Sequence, residues 1–225
     1  MNMIVLIDNG HGSDTPGKCS PDRKLKEYLK SREIARRLVK TLNSRMVNAK
    51  TPIEAHLLVE EDKDISLPER CRRANAYCDK YGKENVLLVS IHCNAAGADG
   101  KWKSAGGWCV YTSPGRTKAD DLATEIWKAA DEGLKDYKER FPFLQAQGAY
   151  DSRQKPMRAD WSDGDPDYEA RFYILVHTKC PAVLTESLFQ DNKADCDFLL
   201  SEEGTKAIVE LHANGIINYI KNHKK

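Results

Sequence analysis

The chain has 225 residues, 40% of them hydrophobic, enough for one sizeable buried core and too few for two ordinary domains. Thirty-five basic side chains against 34 acidic ones leave a net charge of +1, which excludes the strongly basic footprint of a nucleic-acid-binding surface. No apolar run is long enough to span a bilayer, and seven cysteines without C-x-x-C spacing suggest neither a zinc ribbon nor a disulfide framework. A reducing place of synthesis is expected.

Residues Met3 to Asp8 form a continuous apolar run closed by Asn9 and Gly10, the pattern of a strand covered on both faces. It leaves no room ahead of it for a signal peptide, so the expectation is cytoplasmic synthesis, or a secreted protein whose signal has been removed. Helical spacing of Leu25, Tyr28, Leu29, Ile34, Leu38 and Leu42 predicts a helix from Lys24, with Glu27 in its first turns. Glu54 to Val59 reads as a second strand, and Leu67 to Tyr81 as a helix with Pro68 at its tolerated second position.

The run "VLLVSIHCNA" after Asn85 is the clearest strand, and its end carries His92 and Asn94. "SAGGWCVYTS" predicts another strand, and Lys118 to Arg140 a helix. From Phe141 to Tyr168 the pattern gives way to Gly, Pro, Asp and Gln, a loop insertion long enough to be functional. A short helix over Tyr168 to His177 precedes "PAVLTES", a last buried strand ending at Glu186, and helices from Lys193 to Leu200 and Ser201 to Lys221 follow. Strands alternating with helices predict a single α/β domain spanning 1–225.

The stretch "IDNGHGSDTPGKCS" admits two readings. Gly12 to Lys18 fits the G-x-x-x-x-G-K skeleton of a phosphate-binding loop, which needs a Ser or Thr after the lysine and a helix opening there. Cys19 follows instead, Pro16 removes an amide from the cradle, Asp14 brings a carboxylate, and Pro21 delays the helix. The second reading is a metal site. His11 follows the first strand, His92 ends the third and Glu186 the last, and the carboxyl ends of strands collect the ligand site in open α/β sheets. Glu27 can point back to the same edge. Any one of these alone is more often a solvated or capping group; four converging positions are harder to dismiss, and two imidazoles with a carboxylate match a catalytic zinc that keeps a position open.

"LIDNGHG", Glu27 sixteen positions beyond its histidine, "LPERCRRAN", "VSIHCNA" and "PAVLTESLFQDN" together resemble the zinc-dependent N-acetylmuramoyl-L-alanine amidases of bacterial cell-wall turnover and phage lysis, over Met3 to about Leu199. The resemblance implies a three-layer fold with a mixed, mostly parallel twisted sheet between helices. It implies Zn²⁺ held by His11, Glu27 and His92, with Glu186 as catalytic acid/base, and peptidoglycan as substrate. The family's last motif often has a glycine between its glutamate and its aromatic; Ser187 and Leu188 stand here instead, a departure expected to affect the floor near Glu186.

Stem peptides carry carboxylates, so a cation beside the site is expected, and Arg158 or His177 would serve. His177 stands where many members have arginine; Arg158 is followed by Ala159 where the family often has glycine. Asn94 would orient ligand or substrate, against the plainer role of closing a strand-end turn. Cys93 should face away from His92 as a small buried hydrophobe, Trp102 and Trp108 should pack, and His56 and His212 are given no chemistry. The rivals are a zinc hydrolase of another peptide or amide, and a non-catalytic wall-binding module. The setting expected of a wall hydrolase without an export signal is that of a phage or prophage lysin.

Overall fold

The computed structural model describes residues 2–45 and 52–223. Strands β1 (Met3–Asn9), β2 (Ile53–Leu57), β3 (Val86–Asn94), β4 (Cys109–Thr112), β5 (Tyr168–Glu169) and β6 (Ala182–Phe189) form one sheet in the order β2-β1-β3-β6-β4-β5. All pairings are parallel except β4 with β6. The helices are α1 (Glu27–Ser44), α2 (Leu67–Tyr81), α3 (Lys118–Gly133), α4 (Lys135–Ala146), α5 (Tyr173–Val176), α6 (Lys193–Leu200) and α7 (Glu202–His223). The expected three-layer, mixed and mostly parallel fold is present.

The pleat divides the core. Met3, Val5, Ile7, Leu87, Val89, Ile91 and Val183 join one hydrophobic cluster with Ile34 and Leu38 of α1, Leu122 and Ile126 of α3, and Ile216 and Ile220 of α7. Ile4, Leu6, Val86, Leu88, Ala182 and Leu184 join a smaller one with Ala74 and Cys78 of α2 and Ile174 of α5. Burial on both faces is why these strands read as unbroken apolar runs. The second face is covered by one full helix and a four-residue turn, and its carboxyl end stays open. Asp8, Ser90, His92 and Glu186 continue that open face, because each is an even number of residues from Ile4, Leu88 or Leu184.

Local departures from the sequence reading have identifiable causes. The helix expected over Lys118–Arg140 breaks at Leu134, next to Gly133, and resumes as α4 through Pro142 to Ala146. The proline signalled a loop from Phe141, but Phe141 is buried and stacks on Tyr150 with centroids 3.9 Å apart, so aromatic packing carries the helix past it. The insertion therefore starts at Gln147. The stretch read as one helix over Tyr168–His177 is instead the edge strand β5 followed by α5. β6 runs beyond Glu186, with a register shift opposite His92 and Asn94. Asp195 fastens the insertion: its carboxylate accepts from the Tyr137 and Tyr150 hydroxyls at 2.7 Å each and from the Gly107 and Phe189 amides.

His212 of α7 is fully buried, with Nδ1 2.7 Å from the Ile208 carbonyl and Nε2 2.8 Å from the Thr185 hydroxyl. Burial pushes its pKa down to about 4, against a smaller upward pull from the Ile208 carbonyl. Between that value and the ordinary 6.5, the unfolded chain binds the extra proton and the folded chain does not. Stability from this residue is complete above pH 6.5 and is lost as pH falls toward 4. Urea denaturation at pH 7 and pH 4.5 should show about 2 kcal/mol more acid destabilisation in wild type than in His212→Gln.

Candidate metal centre and catalytic cleft

The strand order reverses between β1 and β3, and the candidate site residues gather beyond their carboxyl ends. His11 lies two residues past β1, Glu27 is the first residue of α1, and His92 is near the end of β3. One ligand atom from each lies within 4.8 Å of the others. Glu27 Oε1 is 3.4 Å from His11 Nε2 and 3.1 Å from His92 Nδ1, and it accepts from the Cys93 amide at 3.1 Å. Glu27 is 1% exposed. Burial pushes its pKa up, but hydrogen bonds and charge from the two imidazoles outweigh that and hold it well below the usual carboxylate range. The same carboxylate, opposing burial, raises His92 above its ordinary value.

Close packing explains the sequence around His11. A Cβ on Gly10 would fall 2.2 Å from the His92 ring, and one on Gly12 would fall 1.9 Å from the Asp64 amide nitrogen. His11 itself has φ +62°, a left-handed conformation rare for a residue with a side chain. Two guanidiniums hold its carbonyl there, Arg32 at 3.1 Å and Arg70 at 3.4 Å.

Arg70 is buried and uses all five of its donor hydrogens. Besides the His11 carbonyl, it donates to Asp8 at 2.5 Å, the Asn9 carbonyl at 2.8 Å, Asp64 at 2.8 Å and the Ile65 carbonyl at 2.7 Å. Asp8 accepts a further bond from Ser90.

Asp8, His11, Arg70, Ser90, His92 and Glu186 line a cavity of about 670 Å³, walled on its other side by Ile65, Leu67, Phe172 and Tyr173. Glu186 pairs in register with His92 across β3 and β6, and its Oε2 has no hydrogen-bond partner among the described residues. Burial raises its pKa to about 7, opposed first by the charge of His92 and more weakly by Lys18 and Arg158. Arg158, on the β4 side, has its guanidinium 5.1 Å from the Phe189 ring centroid. Past Glu186, Leu188 takes φ +66° and is fully buried.

The structure thus brings His11, Glu27, His92 and Glu186 together, with Arg158 close by. Asn94 is turned to the strand-end amide of Ala95 and does not line the cavity. His177 caps α5, stacked on Tyr173 at 3.9 Å and exposed, outside the cavity lining. Cys93 and Trp108 are buried in the opposite cluster, and the Gly12–Lys18 stretch is not followed by a helix until Glu27. The phosphate reading therefore lacks the helix N-terminus it requires.

A family model described as N-acetylmuramoyl-L-alanine amidase matches residues 5–218. The chain belongs to this amidase family. It is 28% identical to an endolysin of Bacillus phage SPP1 over 225 residues, all of this chain and 69% of that protein. It is 25% identical to the N-acetylmuramoyl-L-alanine amidase CwlM of Bacillus licheniformis over 217 residues, 94% of this chain and 66% of that one. The chain thus spans about two-thirds of these relatives' lengths. The crystal structure of an N-acetylmuramoyl-L-alanine amidase from Clostridium difficile 630 superposes with a TM-score of 0.73 at 22% identity, covering 98% of this chain and 97% of that one.

Asp8, Arg70, Ser90 and Arg32 received no role from the sequence. The signal was present: an aspartate ending a fully apolar strand must find a buried cation, and "LPERCRRAN" offers three arginines on a helix that returns to that strand. Arg70→Met should strand Asp8 unpaired and cost about 3–5 kcal/mol. Adding Asp8→Asn should recover a large part of that loss in a double-mutant cycle read by urea denaturation.

Proposed function

We propose that this amidase is zinc-dependent, that His11, Glu27 and His92 hold the ion and Glu186 moves the proton, and that the bond cleaved joins N-acetylmuramic acid to L-alanine of the peptidoglycan stem. The carrying observation is one nitrogen from each imidazole and one Glu27 oxygen within 4.8 Å at the foot of an open cavity, with a second, unpartnered carboxylate facing it. Two nitrogens and one oxygen are the donor set of a catalytic zinc with a position left for water. When bound, zinc supplies a Lewis acid for the amide carbonyl and makes water nucleophilic near neutral pH.

The remaining work falls to this chain's side chains. Glu27, held by the Cys93 amide and by Gln190 Nε2 at 3.4 Å, keeps its donor oxygen oriented, and Arg32 and Arg70 fix the His11 loop. Glu186 takes a proton from attacking water and delivers it to the leaving amine; a carboxylate beside the ligands but outside them suits both transfers. Its upward-shifted pKa supports a group that accepts and returns a proton near neutrality. Arg158, on the β4 side of Glu186, is the cation we assign to a stem-peptide carboxylate. Asn94 and His177 would reach substrate only beyond the cavity rim. Kinship with a phage endolysin supports action at the cell wall in a lytic setting. Among the described residues no helix is long and apolar enough to cross a membrane.

Glu186→Gln should retain one zinc per chain by elemental analysis while losing on the order of 10²–10⁴-fold in turnover. Mass spectrometry of purified peptidoglycan treated with the zinc-loaded enzyme should show free stem peptides beginning at L-alanine, absent with the variant. Full zinc occupancy without such peptides would assign the site to another amide.

A further inference from the structure

One wall of the cleft is apolar and open to solvent. Of the nine large hydrophobic side chains left exposed among the described residues, three stand together on the cavity: Leu67 (48% exposed), Phe172 (38%) and Tyr173 (37%). The core does not account for them. α5 packs inward through Ile174 and Leu175, which are buried, and leaves its N-cap Phe172 and its first residue Tyr173 outside. Apolar surface gathered at one rim of a cleft marks a contact surface.

The aromatic surface continues beyond the cavity. Tyr111 of β4 pairs in register with Leu184 of β6 and with Tyr168 of β5, so both tyrosines stand on the face of the sheet that carries Leu184 and Glu186. The Phe172 ring centroid is 5.2 Å from that of Tyr111, which is 5.4 Å from that of Tyr168, and both tyrosines are half-buried. Because β5 is the edge strand, the row Tyr173, Phe172, Tyr111, Tyr168 runs from the cavity wall to the margin of the sheet.

This wall offers no free charge. Of the charged residues lining the cavity apart from His11, His92 and Glu186, Asp8 and Asp64 are both paired with Arg70. A stem peptide, which carries carboxylates, finds no cation there; Arg158, the one assigned to it, lies beside Phe189. A pyranose ring, in contrast, has a face of C–H groups that lies flat on an aromatic ring, and N-acetylated sugars whose lactyl carboxyl is tied up in the amide are neutral. Their polar edges need a few hydrogen-bonding groups, and Ser66, whose hydroxyl does not cap α2, stands on the same wall.

We propose that Phe172 and Tyr173, continued by Tyr111 and Tyr168, form a track for the neutral N-acetylated glycan and leave the stem peptide to Arg158. The assignment rests on the amidase reading above. It makes glycan length a determinant of specificity, since the outer rings hold sugars beyond the one that bears the scissile amide.

The test uses the zinc-loaded protein and two soluble substrates with the same stem peptide. One carries it on a single N-acetylmuramic acid, the other on a tetrasaccharide of alternating N-acetylglucosamine and N-acetylmuramic acid. Wild type should favour the tetrasaccharide in kcat/KM, chiefly through KM. Phe172→Leu, which keeps an apolar side chain and removes the flat ring, should cut that ratio about 3–10-fold. Phe172→Tyr should keep it, as should Trp161→Leu, an exposed aromatic outside the cavity lining. Tyr168→Leu makes the same comparison should Phe172→Leu fold poorly. A ratio unchanged by loss of the ring would overturn the proposal, as would a preference that follows the length of the stem peptide instead of the glycan. Binding separates this from the amidase reading: an uncharged N-acetylglucosamine tetramer should bind Glu186→Gln in isothermal titration, and about 3–10-fold more weakly once Phe172→Leu is added. Such binding with neither substrate cleaved would remove the amidase reading and keep the track. Release of stem peptides with no tetramer binding and no glycan preference would do the reverse.

Discussion

One buried guanidinium ties the His11 loop to the sheet. Arg70 reaches from α2 to the end of β1, the His11 carbonyl, and the segment carrying Asp64 and Ile65. A buried arginine is tolerable only when every donor is met, and a buried Asp8 only when its charge is answered, so the two impose each other. The pairing does little for net stability compared with an apolar pair of the same volume. Its consequence is positional: it fixes where β1 stops and which way the chain turns. That turn puts His11 at φ +62°, an orientation that the residue's own backbone preference opposes.

The parts of this architecture legible in the sequence were those set by one strand or one helix at a time. Buried strands announced themselves as continuous apolar runs, and the pleat then placed Cys93 opposite His92 without further information. Glu27 was legible as a first-turn residue, and it opens α1. What the sequence withheld depends on contacts between distant segments. Pro142 looked like a helix end because its local effect is a break, and only the Phe141–Tyr150 stack reveals why the helix continues. Arg70 looked like one of several solvated arginines because burial belongs to the packed molecule. The short β5 has no periodicity to read, and exists because Tyr111 and Thr112 offer it an edge.

The fold also explains why the cleft beside Glu186 opens on its face of the sheet. α1, α3 and α7 cover one face of the sheet fully, whereas α2 and the single turn of α5 cover the amino half of the other. Even-numbered residues of β1, β3 and β6 are therefore apolar near the strand starts and polar, lining the cavity, near their ends: Ile4 and Leu6 give way to Asp8, Val86 and Leu88 to Ser90 and His92, Ala182 and Leu184 to Glu186. One alternation builds the core and, continued past the last covering helix, builds the site.

Glu186 shows how that alternation is terminated. Between His92 and Asn94 β3 advances two residues while β6 advances three, from Glu186 to Phe189, so β6 carries an extra residue there. A left-handed position in a bulge is one that glycine adopts without cost. Here Leu188 occupies it at φ +66°, at a cost of about 1–2 kcal/mol. Full burial of a leucine side chain returns about 1.5–3 kcal/mol, and Leu188 is fully buried in the larger hydrophobic cluster. The strain and the packing thus offset one another, and the bulge holds without glycine. Because Leu188 points into the core on the face opposite the cleft, its bulk does not intrude on Glu186, and the carboxylate keeps its place in register with His92.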